Sequence, residues 1–188
     1  DLYIDIGAAS KAAAEDKVSL GDYGVFDSAV VEFGDGLIKA KAIDDRVGCA
    51  ALLKLIEDEP PIDTWFCFTV QEEVGLRGAA SMAYALDPGF AMVLEGTTAA
   101  DLAEVEGGKA VCRVRGGVVL PFMDGATIYD AELFELMRNA CDKRGIRWQT
   151  KTRVAGGTDA GRIHKSRAGV RVCAAAAPVR YIHSPSSV

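Results

Sequence analysis

TWFCFTVQEEVGLRGAA, residues 64–80, runs from a β-branched and aromatic segment straight into two adjacent carboxylates, Glu72 and Glu73. Residues 64–70 predict a buried strand, because Thr, Trp, Phe and Val favour a pleated, half-covered surface. The glutamates then fall at a strand's carboxyl end, where open α/β sheets place their ligand crevices. One of two neighbouring glutamates can hold a cation while the other takes a proton from a water on it. By itself a Glu-Glu pair is equally compatible with a solvated loop, so the rest of the chain must supply the partners.

Working outward, carboxylates and an imidazole recur at corresponding places. Asp44 and Asp45 follow LIKAKAI, Glu95 follows FAMVL, and His183 follows APVRYI. Asp, Glu and His in this mixture are typical zinc ligands, and an Asp can bridge two metals. Each has a plainer reading. Asp44-Asp45-Arg46 suits a helix N-cap, Glu95 a simple strand end, and His183 a surface loop beside Pro185.

The segments between these residues predict alternating elements. Helices are expected at 47–59, stopped by Pro60-Pro61, at 77–86, and from an Asp130 cap to Gly145; Ser10 caps a further helical turn. Strands are expected at 2–6, 23–26, 30–33, 37–42, 64–70, 90–94, 109–115, 148–154 and 170–176, with GDG at 34–36 as a hairpin turn. The resulting class is α/β, a mostly parallel sheet with helices on both faces, preceded by a small β-rich portion.

Composition narrows the function. The 188 residues are 49% hydrophobic, ample for one sizeable core. A formal net charge of −6 without a Lys/Arg cluster excludes a nucleic-acid surface. No apolar run reaches membrane-spanning length, so no membrane partner is expected and a cytoplasmic protein is. Five scattered cysteines argue against a disulfide framework or a CxxC metal site. GGTDAG (156–161) lacks the Lys and spacing of a phosphate loop, and His164 behind it reads as a helix-end residue.

In order along the chain, KAIDDRVG, TVQEEVGLRGA, VLEGTTAAD, GGTDAGRIH and PVRYIHSP resemble the tetrahedral and glutamyl aminopeptidases, a dinuclear metallopeptidase family. The resemblance implies a zinc-peptidase α/β domain at 36–188 and, at 1–35, the remnant of an inserted β-rich assembly domain. It implies a metal-dependent aminopeptidase acting on peptide substrates, a homo-oligomer, and two divalent ions, zinc or cobalt, per site. Asp44 resembles the bridging aspartate, followed by Asp45 across what is usually a cis peptide. Glu72 resembles the general base, Glu73 and His183 ligands of one metal, and Glu95 a ligand of the other. Thr158 and Asp159 resemble the loop lining the substrate end of the cleft. The family also draws a histidine ligand from a strand upstream of its inserted domain, whereas this sequence starts at Asp1. One well-held metal on Asp44, Glu73 and His183 is therefore expected, with a weaker site on Asp44 and Glu95. The alternative expectation is a catalytically silent truncated homologue that binds one metal or serves as an assembly module.

Overall fold

The computed structural model describes residues 3–105 and 109–188. In chain order the elements are α1 (Lys11–Glu15), β1 (Val31–Phe33), β2 (Leu37–Lys39), α2 (Ile43–Glu57), α3 (Arg77–Leu86), β3 (Phe90–Thr98), β4 (Val118–Val119), α4 (Ala131–Arg144), β5 (Trp148–Gln149), α5 (Ala160–Ile163) and β6 (Arg171–Val179). Four strands form the main sheet in the order β3-β6-β4-β5. β3 and β6 run parallel, from Phe90 opposite Arg171 to Thr98 opposite Val179. β4 and β5 are also parallel, while β4 meets β6 antiparallel at Val119 and Ala176. The sheet is therefore mixed.

Helices cover both faces, as the strand period of two requires when successive side chains are apolar along residues 90–94 of β3 and 172–179 of β6. On one face Val93, Val172 and Ala174 pack against Ala79 and Ala83 of α3 and Ala160 and Ile163 of α5. The alanines on both sides keep this layer thin. On the other face Val47, Gly48 and Ala51 of α2 lie over Leu94, Ala175 and Ala177. Fully burying a valine such as Val172 or Val179 contributes about 1.5–3 kcal/mol.

Local signals place the helices well. α3 carries Ala79, Met82, Ala83 and Leu86 at helical spacing, and that stripe faces the core. Asp130 caps α4 by accepting from Leu133 N at 2.9 Å, and Gly145 ends it in the left-handed region at φ 65°. Ser10 caps α1, and β1 and β2 form the expected hairpin about residues 34–36.

Several predicted strands are absent. Residues 64–70 are irregular and pair with no strand among the described residues, and Trp65 is 74% exposed. Their aromatic and β-branched composition suits a sheet, yet a strand also needs a neighbour to satisfy its N–H and C=O groups. Residues 109–115 form turns. Their apolarity reflects burial of Ala110, Val111 and Cys112 beneath the loop after β3, where Val111 N and Cys112 N both donate to Ala99 O. Residues 23–26 and 3–6 are irregular and exposed, and Leu2 of the expected first strand lies outside the described residues. The strand expected at 148–154 shortens to β5. All five cysteines are free thiols.

Candidate metal centre

The centre forms where the start of α2, the turn before α3, the middle of β3 and the loop after β6 meet. Glu95, expected to follow a strand ending at Leu94, lies inside β3, whose pairing with β6 continues to Thr98. At the start of α2, Asp44 and Asp45 depart from helical geometry and are joined by a cis peptide bond. Asp45 Oδ1 accepts from Gly48 N at 2.9 Å, so Asp45 does serve as the N-cap of the regular helix. The capping reading and the site reading of the Asp-Asp pair thus divide between its two members. Asp44 turns to the imidazole: His183 Nε2 lies 3.1 Å from Asp44 Oδ2 and 3.4 Å from Glu73 Oε2.

Two donor groups result. Asp44, Glu73 and His183 each offer one atom within 4.8 Å of the others, and Asp44, Asp45 and Glu95 do the same. Asp44 is common to both. Glu73 and His183 are exposed, whereas Glu95 is 8% exposed, so the second group is much the deeper. Two oxygens and an imidazole nitrogen suit zinc or cobalt, and a purely carboxylate set suits any hard divalent ion.

Electrostatics point the same way. Burial, reinforced by Glu73, Asp159 and Asp44 and opposed by His183, pushes Glu72 up to about 7. Burial, partly offset by the hydrogen bond from Gly48 N, pushes Asp45 up to about 7. Glu95 is raised as well, first by burial and then by its hydrogen bond with Asp44 and its acidic neighbours. Acidic groups crowded in this way lack a counter-charge, and a divalent cation between them would invert the logic. A cleft of about 460 Å³ opens beside Asp44, Glu73 and His183, walled in part by residues 24–26 and Lys41.

The other two candidates are buried behind the centre rather than in the cleft, with Asp159 close enough to act on Glu72. Thr158 is buried, with its Oγ1 3.2 Å from Tyr129 Oη and 3.3 Å from Ala160 N, which donates to it. Tyr129 in turn donates to Asp124 Oδ2 at 2.6 Å. Asp159 is buried too and accepts from Thr69 Oγ1 at 2.5 Å. Neither lines the cleft next to His183. His164 caps the end of α5, its Nδ1 2.7 Å from Ala160 O.

Sequence reasoning missed three features. Gly48 and Gly96 let Asp45 and Asp44 approach β3: a Cβ on Gly48 would lie 2.7 Å from Leu94 O, and one on Gly96 would lie 3.1 Å from Asp44 Oδ1. Both glycines sit in the quoted motifs, which was the available signal. Arg180, within PVRYIHSP, pairs with Asp101 of VLEGTTAAD through Nε at 2.7 Å and Nη2 at 3.0 Å, bracing the loop that carries His183. Thr69 is the third, through Asp159.

An α/β sheet around which a helix start, a strand interior and two loops gather aspartate, glutamate and histidine into two donor groups sharing one aspartate fits a metallopeptidase type of domain. The chain belongs to the M42 glutamyl aminopeptidase family, whose model matches residues 1–188. It is 31% identical over 195 residues to the glutamyl aminopeptidase of Lactococcus lactis, covering 100% of this chain and 53% of that protein. An aminopeptidase from the archaeon Desulfurococcus kamchatkensis superposes with a TM-score of 0.92 at 35% identity, covering 97% of this chain and 53% of that one. The Pyrococcus horikoshii TET1 peptidase, which can assemble into a tetrahedron or a large octahedral shell, superposes with a TM-score of 0.78 at 28% identity, over 97% and 54% of the two chains. The chain spans about half the length of the relatives it matches.

Proposed function

We propose that the chain carries the catalytic metal centre of an aminopeptidase that removes N-terminal residues from peptides. The observation that carries this reading is the convergence of Asp44, Glu73 and His183 within 4.8 Å, next to the half-buried Glu72. Asp44, Glu73 and His183 would hold zinc or cobalt, and Asp44 and Glu95 would contribute to a second, weaker site. A bound divalent ion supplies a water with a pKa near roughly 7. Glu72 would take the proton of the attacking water on its carboxylate and later deliver it to the leaving amine, a role that its place beside Glu73 in the turn supports. The surrounding carboxylates attract the substrate's free ammonium group, and Thr158 and Asp159 belong to the loop at the substrate end.

The same reading makes the protein cytoplasmic and a homo-oligomer. No helix among the described residues is long and apolar enough to cross a membrane. Residues 1–35 would belong to the assembly module and 36–188 to the peptidase domain, the boundary falling in the turn of the β1–β2 hairpin. A second reading, a catalytically silent homologue that binds one metal or serves assembly, is favoured by the unpaired segment 64–70 with its exposed Trp65 and Phe68.

Hydrolysis of Glu, Asp, Leu and Ala chromogenic amides with added zinc or cobalt tests these readings. Glu72→Gln is expected to lower turnover by about two to four orders of magnitude while metal stays bound. Loss of metal in that variant would mean that Glu72 and Glu73 have exchanged roles. A wild-type chain that binds metal without turnover would leave the second reading.

A further inference from the structure

We infer that Thr69 and Asp159 form a clamp holding the Glu72–Glu73 turn against the body of the protein, with Asp159 a positioning residue acting through Thr69. The inference rests on the reading of Glu72 and Glu73 given above and deepens it.

The turn needs such a device. Residues 64–70 lead into it without a ladder partner among the described residues. The turn's backbone hydrogen bonds are local: Gly75 N and Leu76 N donate to Glu72 O, Arg77 N to Gln71 O, and Gly78 N to Val70 O. These bonds shape the turn and join it, through Val70, to α3, but they are backbone contacts within ten residues of one another. The hydrogen bond from Thr69 Oγ1 to Asp159 Oδ2, at 2.5 Å, spans 90 residues and ties the segment entering the turn to the start of α5.

Asp159 is suited to that work. It immediately precedes α5, and α5 packs on α3 through Ala160 and Ile163 against Ala79 and Ala83. Its side chain is held in a fixed framework, 7% exposed, and its Oδ1 is buried with no partner. Thr69 therefore provides the only side-chain hydrogen bond seen to this carboxylate among the described residues. Removing the Thr69 hydroxyl would leave a buried acid wholly unsatisfied, the costly kind of loss. The consequence falls on the residues three and four positions further on, Glu72 and Glu73.

The test compares Thr69→Val, Thr69→Ser and Asp159→Asn with the wild-type chain by amide hydrogen exchange and by cobalt titration. Thr69→Val keeps the shape and loses the donor; Thr69→Ser keeps the donor. In Thr69→Val the amides of Gly75, Leu76, Arg77 and Gly78 are expected to exchange about tenfold faster, with β3 and β6 amides unchanged, and by less than that in Asp159→Asn, whose amide oxygen still accepts from Thr69. Cobalt affinity is expected to fall by about tenfold, as for other residues that orient a ligand indirectly. Thr69→Ser is expected to match the wild type in both measurements. Equal exchange at the four amides in wild type and Thr69→Val overturns the clamp, as does a Thr69→Ser variant as impaired as Thr69→Val. If Asp159→Asn does not fold, the two Thr69 variants decide. A wild-type chain that takes up no cobalt overturns the metal reading instead, and the exchange data still judge the clamp.

Discussion

At Gly48 a single missing methyl group determines how closely α2 can approach β3. A Cβ there would stand 2.3 Å and 2.6 Å from the two carboxylate oxygens of Asp45 and 2.7 Å from Leu94 O. The carboxylate could swing away, but the Leu94 carbonyl is backbone in the middle of a paired strand and cannot. Gly48→Ala is therefore expected to destabilise the fold by about 1–3 kcal/mol, the range for overpacking a filled site, measurable as a lower urea midpoint with an unchanged slope. An unchanged midpoint would mean that α2 rides free of β3. Neither Gly48 nor Gly96 stood out in the sequence, whereas Asp44, Glu72, Glu73, Glu95 and His183 did. The difference is physical. A carboxylate or imidazole announces its chemistry by its type, but a glycine's need for close approach exists only once another backbone has arrived. Thr69 was hidden for a related reason: a threonine in a β-rich segment reads as strand composition, and its partner lies 90 residues away.

Among the elements, those specified by local signals were legible and those specified by neighbours were not. α3 and α4 carry their periodicity and end signals within a few residues of themselves, and both form at the expected positions. Residues 64–70 carry strand composition but no described strand lies beside them to complete the ladder. The link between the loop after β3 and the end of β6 is also non-local. Asp101 accepts from Arg180 Nε and Nη2 and from Val114 N at 2.9 Å, and its side chain is 4% exposed. The Arg180 hydrogen bonds foremost hold the Asp101 carboxyl below the usual carboxylate range. The folded protein thus binds this proton less readily than the unfolded chain, whose Asp pKa is about 3.9. The pair's stabilisation is complete above that value and is lost as pH falls through the lower, folded pKa. Arg180 can still reach water, so removing its partner leaves no fully stranded charge. Asp101→Asn is expected to cost about 2 kcal/mol at neutral pH, the scale of a hydrogen bond to a charged group, and less below about pH 4. Urea midpoints of wild type and variant at pH 7 and pH 3 check this. An equal gap at both values would mean that the carboxylate's charge is not the cause.

Over the whole molecule, the uncovered apolar surface is where the homo-oligomer reading proposed above can be tested. Exposed hydrophobic side chains are grouped: Trp65 at 74% lies with Phe68 and Val70 along the unpaired segment, and Tyr3, Ile4, Tyr23 and Phe26 lie along the irregular start. β3 adds a backbone argument, since among the described residues it pairs only with β6 and is one of the two edge strands of its sheet, and an edge offers unpaired N–H and C=O groups to another chain. Large buried aromatics supply a disproportionate share of association energy, with a central Trp often contributing about 2 kcal/mol or more. The weight-average mass in sedimentation is expected to rise with protein concentration. Trp65→Lys is expected to weaken that association by more than about tenfold, leaving the urea midpoint unchanged because Trp65 contributes little to the monomer's core. Tyr23→Lys serves as the opposing variant, at 90% exposure on the proposed assembly module. If Tyr23→Lys dissolves the assembly and Trp65→Lys does not, residues 1–35 form the interface and the 64–70 face is not used for self-association. If only Trp65→Lys acts, copies meet along the 64–70 segment, which leads into the turn that carries Glu72 and Glu73. Association would then be coupled to the candidate centre, and cobalt affinity should rise with protein concentration.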